Sequence, residues 1–169
     1  MKPILLLDVD GPLNPFAAEA PPLGYVEHQW RVSRWRRKAG RRAWLNPAHG
    51  AALLALAERT DAELAWVSSW EDEANATVGP ALGLPALPVV GVRAYEQHPD
   101  WKYGAVGRFA AGRPLAWLDD DFGLFPGARQ RFLERRGRLA TALIPVHPAA
   151  GIGPDHLAAV ETALQQRKS

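Results

Sequence analysis

The sequence predicts an α/β fold, a mostly parallel five-stranded sheet with helices on both faces. Three observations carry that prediction. Short apolar runs alternate with helix-like segments, the order of a sheet built from strand–helix–strand units. Three of these runs, Leu5–Leu7, Leu64–Val67 and Leu115–Leu118, stop abruptly at carboxylates or hydroxyls. A parallel sheet gathers such strand ends along one edge, where ligands bind. Helix punctuation falls between the runs, as at Asn46-Pro47 and Gly137.

The elements follow in order. Residues 3–8 read as the first strand. Residues 14–24, with Pro15, Pro21 and Pro22, read as loop. A β-hairpin is expected over 25–45. There Val26, His28, Trp30 and Val32 alternate with Glu27, Gln29, Arg31 and Ser33 at period two. Lys38-Ala39-Gly40 supplies its turn, and Trp44 and Leu45 close the returning strand. Asn46-Pro47 joins an N-cap to a proline at the first helical position. That helix runs to about Arg59, with Leu53, Leu54 and Ala57 on its buried face. Strands are expected at 63–67 and 89–92 and helices at 71–78 and 102–111. A strand at 115–118 and a helix over 126–136 follow, the helix ending at Gly137 as a glycine C-cap. The last strand is 141–146, and Pro154-Asp155 opens a final helix that frays by Gln166.

With 169 residues the chain is expected to form one domain, 1–169, carrying the hairpin as an insertion. It has no cysteine, which excludes disulfide partners, thiolate zinc sites and cysteine nucleophiles. No signal peptide and no membrane span are legible, so a cytoplasmic setting without membrane contact is expected. Charge is uneven. Arg31, Arg34, Arg36, Arg37, Lys38, Arg41 and Arg42 fall within twelve positions without an acid, leaving 13 basic against 18 acidic residues elsewhere. A basic segment on an acidic body points to an anionic partner.

The strand ends carry the chemistry. Leu5–Leu7 delivers Asp8 and Asp10 before Gly11. Buried carboxylates are costly without a partner, and a hard divalent cation such as Mg²⁺ is the simplest one. The same run also fits a plain turn in which Gly11 supplies a positive φ. Ser68 and Ser69 end the second run. They suit a phosphoryl oxygen, or an N-cap ahead of Glu71-Asp72-Glu73, and both hold if Ser68 faces substrate and Ser69 the helix. Lys102 offers a cation, or is a solvated surface lysine. Asp119-Asp120-Asp121 repel one another unless a cation or solvent relieves them. The histidines His28, His49, His98, His147 and His156 lack metal-ligand spacing and read as structural or surface residues.

The order Asp-x-Asp-Gly, Ser, Lys, Asp-Asp over residues 4–121 resembles motifs I to IV of the haloacid dehalogenase (HAD) superfamily. The resemblance implies a three-layer Rossmann-like HAD fold with a β-hairpin flap instead of a cap domain. It implies a Mg²⁺-dependent phosphohydrolase, a phosphomonoesterase working through an aspartyl-phosphate intermediate. Asp8 would be the nucleophile and Asp10 the acid/base, a residue that dehalogenases lack. Ser68 and Lys102 would complete the anion cradle. Asp8, Asp10 through its carbonyl oxygen, and Asp120, with Asp119 second, would hold the metal, while Asp121 would face solvent. Pro12 departs from the threonine common at its position and cannot donate a backbone hydrogen bond. The stretch Trp66-Val67-Ser68-Ser69-Trp70-Glu71-Asp72-Glu73-Ala74-Asn75 is similar to HAD domains associated with RNA-repair proteins, which implies nucleic-acid repair.

An open, capless site admits a phosphate on a polymer as well as a free nucleotide. The hairpin mixes Trp30, Trp35 and Trp44 with its basic residues, and cations with indoles suit a phosphate backbone and stacked bases. Arg34, Trp35, Arg36 and Arg37 are therefore candidate substrate-binding residues together with Ser69. The same tryptophans would equally pack the hairpin onto the body. Three readings follow: a phosphatase of nucleotides or nucleic-acid ends, a nucleic-acid-binding module with a vestigial site, and a small-metabolite phosphatase lidded by the hairpin.

Overall fold

The computed structural model describes residues 1–30, 40–92 and 100–165. Its elements are β1 (Ile4–Leu7), β2 (Val26–Trp30), β3 (Arg41–Leu45), α1 (Ala48–Thr60), β4 (Glu63–Trp66), α2 (Asp72–Ala76), α3 (Val78–Leu82), α4 (Trp101–Phe109), β5 (Leu115–Asp119), α5 (Pro126–Arg136), β6 (Thr141–Pro145) and α6 (Pro154–Gln165). The sheet runs β4-β1-β5-β6 with every pairing parallel. The α/β class and the helix-flanked parallel sheet agree with the sequence reading.

Both faces of the sheet are covered, which is why its strands read as unbroken apolar runs. On one face Leu5, Leu7, Leu64, Trp66, Ala116 and Leu118 share a core with α1, α3 and α6 residues such as Leu53, Leu82 and Val160. On the other, Ile4, Leu6, Ala65, Val67, Leu115 and Trp117 pack with Tyr103 and Phe132 of α4 and α5. Odd and even positions separate cleanly because strand side chains alternate.

Three expectations need correction. The sheet has four strands, not five: 89–92 contributes a single parallel bridge, Val89 to Trp66. Pro88 has no N–H to lend the ladder, which stops after Trp66 N to Pro88 O and Val90 N to Trp66 O, both 2.8 Å. The helix expected over 71–78 stops at Ala76, where Thr77 (φ −131°) breaks it, and a second short helix, α3, follows at Val78–Leu82. Leu54 is exposed at 37%. The buried residues of α1 are His49, Gly50, Leu53, Leu56 and Thr60; Leu54, about 100° on from Leu53, lies beyond the edge of that stripe. The start of α1 agrees: Asn46 Oδ1 accepts from Ala48 N at 3.0 Å, directly after Pro47.

The hairpin is a separate antiparallel pair, with Trp30 opposite Arg41 and Val26 opposite Leu45. Lys38 and Ala39 of its expected turn lie outside the described residues, as do Arg34, Trp35, Arg36, Arg37 and His98. Ala43 and Leu45 are buried against the body, whereas Val26 on β2 is 51% exposed. No helix among the described residues is long and apolar enough to cross a membrane.

Candidate active site

Sheet register builds the site. Leu7 stands opposite Trp66 on one side and Leu118 on the other, so the next residues, Asp8, Val67 and Asp119, come level at the carboxyl edge. Asp8 and Asp119 follow Leu6 and Trp117 at two-residue steps, and their side chains fall on the α4 face. Lys102, in the first turn of α4, meets them there. Its Nζ donates to Asp8 Oδ2 and, at 2.6 Å, to Asp119 Oδ2. All three are buried. Trp101 precedes the lysine at φ 45°, an unusual conformation for a bulky residue, and its ring lies 4.6 Å from Lys102 Nζ.

Burial works against the charge of Lys102. The Asp8 and Asp119 carboxylates outweigh that penalty and hold its pKa above the usual lysine value. Asp119 is fully enclosed. Burial, then repulsion from Asp8, pushes its pKa well up against the opposing pull of Lys102. Its oxygens also accept from Trp117 Nε1 at 3.1 Å and Asp121 N at 3.0 Å. Asp120 is pushed up to about 6 by burial, then by Asp121 and Asp8. A built Cβ on Gly11 would lie 2.6 Å from Asp120 Cγ, and Gly11 has φ +89°. Glycine is thus required there twice, for the turn and for the approach of Asp120.

A cavity of about 200 Å³ opens above these groups. Asp8, Asp10, Ser69, Lys102, Asp120 and Asp121 are in its wall. One oxygen each from Asp8, Asp119 and Asp120 lies within 4.8 Å of the others. Three converging carboxylates against one ammonium form an all-oxygen, electron-rich donor set. That fits a hard divalent cation better than a soft one. Asp120 faces the cavity, while both oxygens of Asp119 already accept protein hydrogen bonds.

Asp10 stands apart from the carboxylate cluster. Its Oδ1 accepts from Asn14 Nδ2 at 2.8 Å and its Oδ2 from Trp70 Nε1 at 2.9 Å. Burial raises its pKa, and these two bonds oppose the rise. Asn14 Oδ1 in turn accepts from Trp44 N of β3 at 3.0 Å, which ties the hairpin to Asp10.

The two serines exchange their expected places. Ser68 is wholly buried and its Oγ accepts from Trp70 N at 3.4 Å, while Ser69 is exposed in the cavity wall. The pleat gives the reason. Ala65 and Val67 pack on the α4 face with Asp8, so Ser69 shares their parity and Ser68 shares that of Trp66. Neither serine supplies the expected cap, since α2 begins without a side-chain cap. Asp121, expected toward solvent, is half-buried in the cavity wall. Arg34, Trp35, Arg36 and Arg37 lie outside the described residues.

Asn14 and Trp70 were not among the expected site residues. Both follow a motif directly, but nothing in a linear pattern shows that an amide four residues on, or an indole from another strand end, reaches Asp10. The Trp66–Asn75 stretch has a structural use too. Asn75 Oδ1 accepts from Trp66 Nε1 at 2.8 Å and from Leu87 N at 2.9 Å, clamping the loop beside the site.

No curated protein and no solved structure matches the chain. One family model does, over residues 4–157, from β1 and Asp8 into α6. Its span takes in every side chain of the site just described and supports HAD-type phosphohydrolase chemistry at the level of the superfamily. The chain belongs to the family described as the HAD domain in Swiss Army Knife RNA repair proteins.

Proposed function

We propose that the protein is a Mg²⁺-dependent phosphomonoesterase that works through an aspartyl-phosphate on Asp8, with nucleotides or nucleic-acid ends as substrates. The observation that carries this reading is the division of labour between two aspartates two residues apart. Asp8 is buried and paired to the Lys102 ammonium, which places its carboxylate oxygen at the cavity floor as the nucleophile. Asp10 is raised toward protonation by burial and held by Trp70 and Asn14, as suits a proton donor.

Asp8 Oδ attacks phosphorus, a P–O bond forms, and the bond to the leaving oxygen breaks as Asp10 gives that oxygen its proton. Asp10, now a carboxylate, takes a proton from water, which attacks the phosphorus of the aspartyl-phosphate. The Asp8–phosphoryl bond breaks, phosphate leaves, and both aspartates return to their starting states. Lys102 and Ser69 face the phosphoryl oxygens. Asp8, Asp119 and Asp120, with the Asp10 carbonyl oxygen, would hold Mg²⁺, which when bound offsets charge on Asp8 and the phosphoryl group. The basic run of 31–42 and the family's description favour a nucleic-acid substrate over a small metabolite.

The test is phosphate release from an aryl phosphate and from 3′- and 5′-phosphorylated oligonucleotides, with Mg²⁺ or chelator. Release that needs the metal and disappears in Asp8→Asn supports the reading. Release that persists in Asp8→Asn overturns it, and no release from any substrate favours a binding module with a vestigial site.

A further inference from the structure

A second opening adjoins the cavity. A groove of about 360 Å³ runs past the start of β3, lined by Asp10, Asn14, Phe16, Arg41, Arg42 and Trp70. Asp10 and Phe16 belong to both walls. Asp10 therefore divides a space that holds Asp8 and Lys102 from one that holds two arginines and two aromatic rings. We propose that this groove is the leaving-group subsite and that it takes the first phosphodiester and the neighbouring base of a phosphorylated nucleic-acid end.

The proposal rests on the phosphomonoesterase reading, because Asp10 marks the leaving-group side only as proton donor. In-line displacement puts the leaving oxygen opposite Asp8, and its donor must be within hydrogen-bond reach. The rest of the leaving group then passes Asp10 and enters the groove. The chemistry there is not that of a small sugar or amino-acid phosphate. Arg41 is fixed, its guanidinium 4.4 Å over Trp70 and its Nε 2.9 Å from Glu73. Arg42 is 63% exposed, and its nearest carboxylate, Glu27, lies at 3.9 Å, beyond hydrogen-bonding distance. Such an exposed ion pair is worth little, so a phosphate can take its place. A guanidinium offers a phosphate two parallel donors. Phe16 is 55% exposed between the two openings, where its ring presents a face for a base to stack on.

The experiment compares two substrates with the same terminal phosphate: a mononucleotide, and the dinucleotide that extends it by one phosphodiester and one base. Steady-state kcat/KM is measured with Mg²⁺. A charge-assisted contact makes the wild type prefer the dinucleotide about tenfold. Arg42→Ala and Phe16→Ala should each remove most of that preference, and Arg42→Lys should restore part of it. Arg138→Ala, in the turn between α5 and β6 at the opposite edge of the sheet, should keep it. A wild type without preference, or variants that retain it, overturns the subsite. Should neither substrate turn over, the hydrolase reading fails on its own. Calorimetric binding of the dinucleotide to Asp8→Asn then decides whether the groove takes a nucleic-acid end: about tenfold weaker binding on adding Arg42→Ala upholds that contact, and equal affinity overturns it.

Discussion

Trp70 Nε1 donates to Asp10 Oδ2 at 2.9 Å, an indole from the end of β4 holding a carboxylate from the end of β1. Trp70 is itself fixed by the hairpin, with Trp30 edge-on at 5.8 Å and Arg41 over its face. Trp70→Phe keeps an aromatic ring and removes the bond. One hydrogen bond to a charged group is worth about 1.5–3 kcal/mol, so kcat should fall roughly 10- to 100-fold. The loss should be larger for an alkyl phosphate than for an aryl phosphate, whose leaving group needs less protonation. Equal losses on both would make Trp70 a packing residue.

Lys102 is the sole cation seen between Asp8 and Asp119 among the described residues. Lys102→Met leaves two buried carboxylates facing each other, and breaking a buried pair in this way costs about 3–5 kcal/mol. Activity should disappear and the thermal midpoint should drop. Mg²⁺ should then raise the midpoint of the variant more than that of wild type, since the cation replaces the lost charge. A midpoint indifferent to Mg²⁺ in both proteins would show that these carboxylates hold no divalent ion.

The strands of the sheet and the two aspartates that follow β1 were legible in the sequence because buried parallel strands are apolar throughout and carboxylates at their ends have few other uses. The choice between Ser68 and Ser69 was legible in principle. It needed the pleat of β4 counted against that of β1, which requires knowing that the two are paired. The bridge at Val89 was overread because an apolar run does not reveal that Pro88 ends the ladder. Asn14, Phe16 and Trp70 were not legible. Each acts across a turn or from a neighbouring strand, and no spacing rule encodes where such a side chain points.

Gly11 allows Asp120 to reach the site. Gly11→Ala places a methyl 2.6 Å from Asp120 Cγ at a residue with φ +89°. The backbone strain alone costs about 1–3 kcal/mol. The clash should also displace Asp120, so both the urea midpoint and the affinity for Mg²⁺ should fall. Gly137→Ala makes the control, because its φ is +55° but a Cβ would meet nothing closer than 3.9 Å. That variant should lose stability and keep its metal affinity. Equal metal affinity in both variants would mean that Asp120 does not depend on Gly11.

His49 lies in the first turn of α1, buried, with its ring edge-on to Tyr25 at 5.5 Å and no hydrogen-bond partner for Nδ1 among the described residues. Burial lowers its pKa below the ordinary histidine value. In the unfolded chain the imidazole binds its proton near pH 6.5, so below that value the unfolded state holds more protons than the folded one. The stability that His49 contributes is present above about pH 6.5 and is lost as pH falls toward its folded value. His49→Leu fills similar space with nothing to titrate. Urea midpoints at about pH 7 and pH 5.5 should show the variant gaining on wild type as the solution is acidified. The difference between the two proteins is the readout, because the raised carboxylates of the site titrate in both and cancel. Parallel loss of stability in the two would mean that His49 takes up its proton while folded, and that its orphaned Nδ1 finds a partner on doing so.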